Sequence, residues 1–355
     1  MIEIYGMQLN KRELLEYVGD ISQIAGARPA KLTDGRGGGV DIIDVRTGSG
    51  LNLTVIPGRA MDIAWAAFKD IPLSFISKTG MCHPSYYESS GDEFLRNFYA
   101  GLLTTCGLLN SGPASVDRGK QYVMHGRLSN TPAFDIGINN DWDGDDFHID
   151  VRGKVRQSKL YEENLLLKRR IHTTLGSNKF FITDRIENQG HRREEMMLLY
   201  HFNLGYPVLS ENSILITSPG EVLPRDDAAA AQIATCKEMA PPTDSWPEVV
   251  FFHRLKENSS GKAVSVLFNP DLGQAGLGIY VRYLPEQLPW LVEWKQMGKG
   301  DYVLGMEPAT YPPVGRQRAR QEESLVSIES GETKEYELEI GVVESRKEAE
   351  SIVDS

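Results

Sequence analysis

Cysteine is scarce in this chain, and so are long apolar runs and positive charge. Only three cysteines occur, Cys82, Cys106 and Cys236, and no two form a C-x-x-C pair. A framework of several disulfides is excluded, and the three read as reduced thiols of a reducing compartment. No apolar run approaches the ~20 residues that span a bilayer. The opening stretch MIEIYGMQLNKRELLEYVGD has early acids and no apolar signal core, so a cytoplasmic location is expected. Lysine and arginine total 38 against 49 aspartates and glutamates, a formal net charge of −11. Phosphate backbones and anionic membrane surfaces attract basic proteins, so neither nucleic acid nor membrane is an expected partner.

What is present is strand patterning. At 355 residues the chain could hold about two ordinary domains or one large all-β unit. Period-two runs recur along it, for example FHIDVRGKVRQ (147–157), LLLKRRIHTTL (165–175), KFFITDRIEN (179–188), EEMMLLYHFNL (194–204), AVSVLFN (263–269), WLVEWKQM (290–297) and KEYELEIGVV (334–343). VDIIDVRTGSGLNLTVIPG (40–58) reads as a hairpin around Thr-Gly-Ser-Gly. Helical stripes are few: residues 10–25, with Asn10 as N-cap, residues 92–103, and the tail from Ser345. These patterns predict a large antiparallel β-sandwich. Residues 1–30 are expected as a helical extension packed on the body, and 31–355 as one sandwich domain. The Pro/Gly-rich pieces SPGEVLPRDDAA and MAPPTDSWPE read as long loops on that scaffold, where binding usually sits.

Several motifs mislead. DGRGGG (34–39) resembles a phosphate loop, but no apolar strand precedes it and no helix follows, so it reads as a loop. NDWDGDDFHID (140–150) suggests calcium, yet counting from Asp141 the sixth and twelfth positions hold Asp146 and Arg152 instead of glycine and glutamate. An acidic hairpin turn is the better reading, with an irregular cation site left open. Cys106 lies in a glycine-rich stretch with no recognisable base, and reads as a small packed residue.

Alternation of side chains along strands singles out three positions. In MMLLYHFNLG, His201 and Asn203 end a face that turns polar. In DYVLGMEPAT, Val303, Gly305 and Glu307 share a face that ends in an acid before Pro308. In YVMHG, Val123 and His125 share a face, and Gly126 leaves room for a ligand to approach. A lone His or Glu at a strand end is more often structural. Three strands doing the same thing point to a shared cleft.

The ordered set VIPGRAMDI, MHGRLSN-x-PA, LLYHFNLGYP and LGMEPATYPPVGR resembles the galactose mutarotase (aldose 1-epimerase) superfamily. It is closest to a branch described only as a domain of unknown function, and the likeness runs from about residue 40 to 345. The resemblance implies a very large antiparallel β-sandwich with a sugar cleft on its concave face. It implies a cofactor-independent isomerase: Glu307 as catalytic base, His201 as general acid, His125 as a sugar-polarising histidine and Arg59 as a sugar-binding arginine. The chain departs from mutarotases where Arg127 follows His125-Gly126 in place of a second glycine, and where FNLGYP follows His201 directly.

For such a cleft, Arg127 could read an acidic or phosphorylated sugar, or form a structural salt bridge. Arg225, with Asp226, sits on a loop that could close over a ligand, or is a solvated turn. Trp290 and Trp294 share one face of their strand and Lys295 the other, so only one set can line the cleft. Arg59 or Lys295 would help keep Glu307 ionised. The expected partner is a monosaccharide or derivative, with no cofactor and no metal. A non-catalytic sugar-binding or regulatory protein, a glycoside-cleaving enzyme needing a second carboxylate, and a metal site of His125, His201 and Glu307 are the rival readings.

Overall fold

The alternation read from the sequence becomes two antiparallel sheets. Along Asn164–Thr174, Leu167, Arg169 and Ile171 are buried while Lys168 and Arg170 are exposed. One face of the strand therefore meets a core and the other meets water. The computed structural model describes residues 1–355. Its eight-stranded sheet runs Phe134–Asp143, Asp146–Ser158, Asn164–Thr174, Lys179–Asn188, Thr333–Val343, Leu277–Tyr283, Ala263–Asn269 and Ile214–Thr217.

The twelve-stranded sheet carries the site. Its main path runs Gly220–Pro224, Val249–Leu255, Trp290–Gly298, Asp301–Ala309, Glu194–Leu204, Leu103–Leu108, Asp62–Phe68, Leu51–Ile56, Asp41–Arg46 and Gly26–Lys31. The two sheets close over one contiguous apolar cluster that draws on both, including Phe202, Leu304 and Met306 from the twelve-stranded sheet and Phe180, Ile182 and Leu338 from the eight-stranded one. The predicted sandwich is the observed architecture.

One polar network crosses that core. The fully buried Arg169 guanidinium donates to Asp62 Oδ1 at 3.0 Å and to both carboxylate oxygens of Asp184, at 2.9 and 2.6 Å. Tyr200 donates its hydroxyl proton to Asp184 at 2.7 Å. Asp62 lies on the twelve-stranded sheet and Asp184 on the other, so the ion cluster ties one layer to the next. It also fixes orientation: Tyr200 points inward, so His201, one residue on, points outward.

The helical expectations hold only in part. The tail helix is Arg346–Asp354, capped by Ser345. At the N-terminus Asn10 does cap a helix, with a capping box to Glu13, but the helix is only Lys11–Leu15. Gly19 breaks the stripe, and a hairpin of Ile2–Ile4 with Met7–Leu9 precedes it. Residues 92–103 form a single 3-10 turn, Glu93–Arg96, followed by strand. DGRGGG holds a short 3-10 turn capped by Asp34. The acidic stretch is a hairpin, with Asp143 paired to Asp146. No helix is long and apolar enough to cross a membrane.

Candidate active site

Four adjacent strands of the large sheet present their outward faces to a cavity of about 790 Å³. The register puts Leu199 opposite Ala309 and Phe202 opposite Met306, so His201 stands directly across from Glu307. On its other side Glu307 pairs with Val292, and Val292 with Phe252. Each of these four side chains lines the cavity. Loops around residues 75–79, 94–98, 112–125, 225–248 and 313–318 form its walls.

His201 and Glu307 are 6% and 1% exposed. Imidazole Nδ1 lies 3.3 Å from carboxyl Oε1, yet neither atom completes a hydrogen bond. Buried polar atoms are normally satisfied, and these two facing atoms are left free to bond a third group between them. Gly305 makes room for the carboxyl: a Cβ there would fall 2.2 Å from Glu307 Oε1. Burial pushes Glu307 well above the usual carboxylate range, helped by the negative charge of Glu248. Burial drives His201 well below the ordinary imidazole value, with His125 adding to the effect.

His125 faces the same cavity, with its ring centroid 5.8 Å from that of His201. It sits on a turn beyond the Lys120–Tyr122 strand, in a left-handed conformation at φ 53°, so strand parity is not what aims it. Its backbone N–H donates to Gly112 O at 2.8 Å and its carbonyl accepts from Gly107 at 3.0 Å. Nδ1 accepts a long bond from Gly112 N–H at 3.4 Å, which leaves Nε2 as the protonated nitrogen. Burial pushes its pKa down to about 4, so it is a neutral donor at neutral pH. Gly126 is required for a different reason than ligand approach: a Cβ there would strike Gly107 O at 2.1 Å.

Aromatic rings frame the pair. Trp294 meets His201 edge-on at 5.2 Å, and Phe98 packs on His201 at 5.3 Å. Phe94 packs on His125 at 5.2 Å. Glu248 Oε1 accepts from Trp294 Nε1 at 2.9 Å, and Glu248 Oε2 accepts from Arg225 at 2.6 Å. Arg225 lines the cavity rim, already paired with Glu248 and Asp226. Phe94 and Phe98 were hidden in the sequence because their spacing of four read as a helical stripe. Glu248 had no signal beyond its place in a loop.

The other expected sugar ligands do not line the cavity. Arg59 is buried with its guanidinium spent on three carbonyls, those of Ser129, Cys82 and Asn97, at 2.5, 2.9 and 3.1 Å. Lys295 lies on the inward face of its strand, as parity with Trp294 requires, and donates to the carbonyls of Cys236 and Glu238 at 2.8 and 2.5 Å. Neither cation adjoins Glu307, and burial with Glu248 governs that carboxyl instead. Asn203 is buried beneath the site, donating to Gly101 O and His201 O at 3.1 and 2.8 Å. Arg127 is exposed and sits over the Tyr87 ring, 6.0 Å from its centroid. No three His, Cys, Asp or Glu side chains are arranged to hold a metal ion.

This acid and imidazole sit on the outer face of a large antiparallel sandwich, and solved structures share that sandwich. A protein of Klebsiella pneumoniae named as a candidate aldose 1-epimerase superposes with TM-score 0.86 at 22% identity, over 92% of this chain and 85% of that one. A galactose mutarotase-like protein of Clostridium acetobutylicum gives TM-score 0.63 at 13% identity, over 90% and 99%. The galactose 1-epimerase of Lactobacillus acidophilus gives 0.58 at 13%, over 91% and 100%. The fold is thus galactose mutarotase-like. The chain itself belongs to the family described as Domain of unknown function (DUF4432), whose model matches residues 37–342. No curated protein matches it in sequence.

Proposed function

We propose that the protein is a cofactor-independent carbohydrate epimerase that interconverts the anomers of a monosaccharide, with Glu307 and His201 as its acid–base pair. The observation that carries the reading is the pair itself: two buried, facing, unsatisfied polar atoms 3.3 Å apart in a cavity large enough for a sugar. The sugar-epimerising names borne by structural neighbours fit it.

Anomer exchange moves two protons on one pyranose. A base takes the proton of the C1 hydroxyl, an acid gives a proton to the ring oxygen, and the C1–O5 bond breaks to leave an open-chain aldehyde. Rotation about C1–C2 and the reverse transfers then close the other anomer. The pair needs one proton between its two members. Burial opposes charge on both, and so favours the carboxylic acid over the carboxylate and the neutral imidazole over the imidazolium. Passing that proton to the imidazole gives a carboxylate base and an imidazolium acid with the same proton count. His125, a neutral donor at Nε2, is placed to polarise a sugar oxygen. Trp294 and Phe98 supply aromatic surface beside the pair for the ring's C–H edges.

Polarimetry or proton-exchange NMR on freshly dissolved aldoses tests the reading. Glu307→Gln should lower the exchange rate by roughly 10²–10⁴-fold while circular dichroism is unchanged. A variant that binds sugar equally well, from a wild type that never speeds exchange, would instead identify a sugar-binding protein on this scaffold. Glycoside cleavage has less support, because the other two carboxylates on the cavity wall are held in ion pairs, Glu248 by Arg225 and Asp301 by Lys78.

A further inference from the structure

The cross-strand row that contains the catalytic pair continues past Glu307 without another polar side chain. Its next members are Val292, one strand away, and Phe252, two strands away. At the usual strand spacing these lie about 4.8 and 10 Å beyond the carboxyl's own strand. The neighbouring row adds Val250, opposite Trp294. Val314, on the loop that follows the Glu307 strand, packs against this group from above. The half of the cavity beyond Glu307 thus has an apolar floor, with Val314 packed against it.

Its polar rim is engaged mainly with itself, and Arg318 on the outer wall bonds Glu322 through Nε and is largely exposed to solvent. Arg225 is bonded to Asp226 and twice to Glu248, and the remaining oxygen of Glu248 takes the Trp294 indole proton. A sugar hydroxyl resting on Val292 and Phe252 would give up water and gain no partner. A carbon without oxygen, or an acyl methyl, would lose nothing there and would bury apolar surface.

We propose that this compartment is a specificity subsite, and that the physiological substrate is a monosaccharide carrying an apolar group in place of a ring hydroxyl. The proposal rests on the epimerase reading for its chemistry, but not for its binding preference. With O1 at Glu307 and O5 toward His201, as the proposed chemistry requires, the remaining neighbour of C1 is C2, so the group is assigned there. The shared chemistry has two sources, a deoxygenated carbon and an acylamino methyl, and the test separates them.

Exchange is measured by proton NMR on the wild-type protein with three pairs: 2-deoxyglucose against glucose, N-acetylglucosamine against glucose, and fucose against galactose. At least one C2-substituted sugar should exceed its parent in kcat/KM by about tenfold to a hundredfold, the scale on which an apolar pocket discriminates one small group. The first pair reports a deoxy carbon and the second an acyl methyl; preference confined to fucose would relocate the group to C6 and overturn the C2 assignment. Parents exchanged as well as every partner would overturn the subsite and leave the epimerase standing. Titration of the same sugars by calorimetry covers the remaining case: tighter binding of a C2-substituted sugar without exchange keeps the subsite and sinks the epimerase, and no discrimination sinks both. Val292→Thr, which keeps the shape and adds a hydroxyl, should cut the preference several-fold. An unchanged ratio in that variant would overturn the role given to Val292.

Discussion

At the residue scale the site is governed by burial. Glu307 and His201 each pay for desolvation in the charged form, and their ordinary titrations move in opposite directions. The singly protonated pair is the working form, so activity should fall when it gains a second proton or loses its only one. Because His201 is driven down, the acid limb of the pH–rate profile should lie well below the ordinary imidazole value of about 6.5. Because Glu307 is driven up, the alkaline limb should lie above the usual carboxylate range. These limbs belong to the pair and not to either residue alone. A profile whose acid limb falls at an ordinary imidazole value would contradict this electrostatic account. His125, with its pKa pushed down to about 4, should add no limb near neutrality.

At the scale of elements, Arg59 shows what sequence could and could not say. A basic residue after a strand, in a motif shared with sugar enzymes, looked like a ligand. Its three acceptors are backbone carbonyls on separate loops, up to 70 residues away in the chain. Pattern analysis has no access to such partners. In the structure the side chain fastens together the loops near residues 82, 97 and 129, which flank the aromatic wall and the His125 turn. Arg59→Met should therefore cost roughly 3–5 kcal/mol of stability, since it orphans buried carbonyls. Denaturant unfolding reads this directly, and a variant of native stability with only a raised KM would return Arg59 to the role of sugar ligand. By contrast, His201 and Glu307 were legible because alternation along a strand depends only on local geometry. The same rule set Lys295 against Trp294. It could not say which face met the core, because that depends on the partner sheet.

At the scale of the whole molecule, the sandwich was legible because strand runs with turns between them fill most of the chain. The short N-terminal helix and the 3-10 turn at Glu93–Arg96 were not, since periodicity of three to four also arises in irregular walls that bury alternate side chains around a cavity. Nor was the pairing of the layers through Arg169, whose acceptors Asp62 and Asp184 lie on different sheets. Arg169→Met should leave two carboxylates buried without a cation and destabilise the fold by roughly 3–5 kcal/mol or more. A shift in the urea midpoint measures it, and a loss below 1 kcal/mol would show that the sheets are held by apolar packing alone.

The cavity floor lies on the side of the large sheet that faces away from the apolar interior, although the same strands build both. Along the Trp290–Gly298 strand, Leu291 and Met297 serve the interior while Val292 and Trp294 serve the cavity. The outward positions pack in a smaller apolar cluster of their own, separate from the one that joins the sheets. An exchange of outward side chains can therefore reshape the cavity while the interior packing that joins the two sheets is kept.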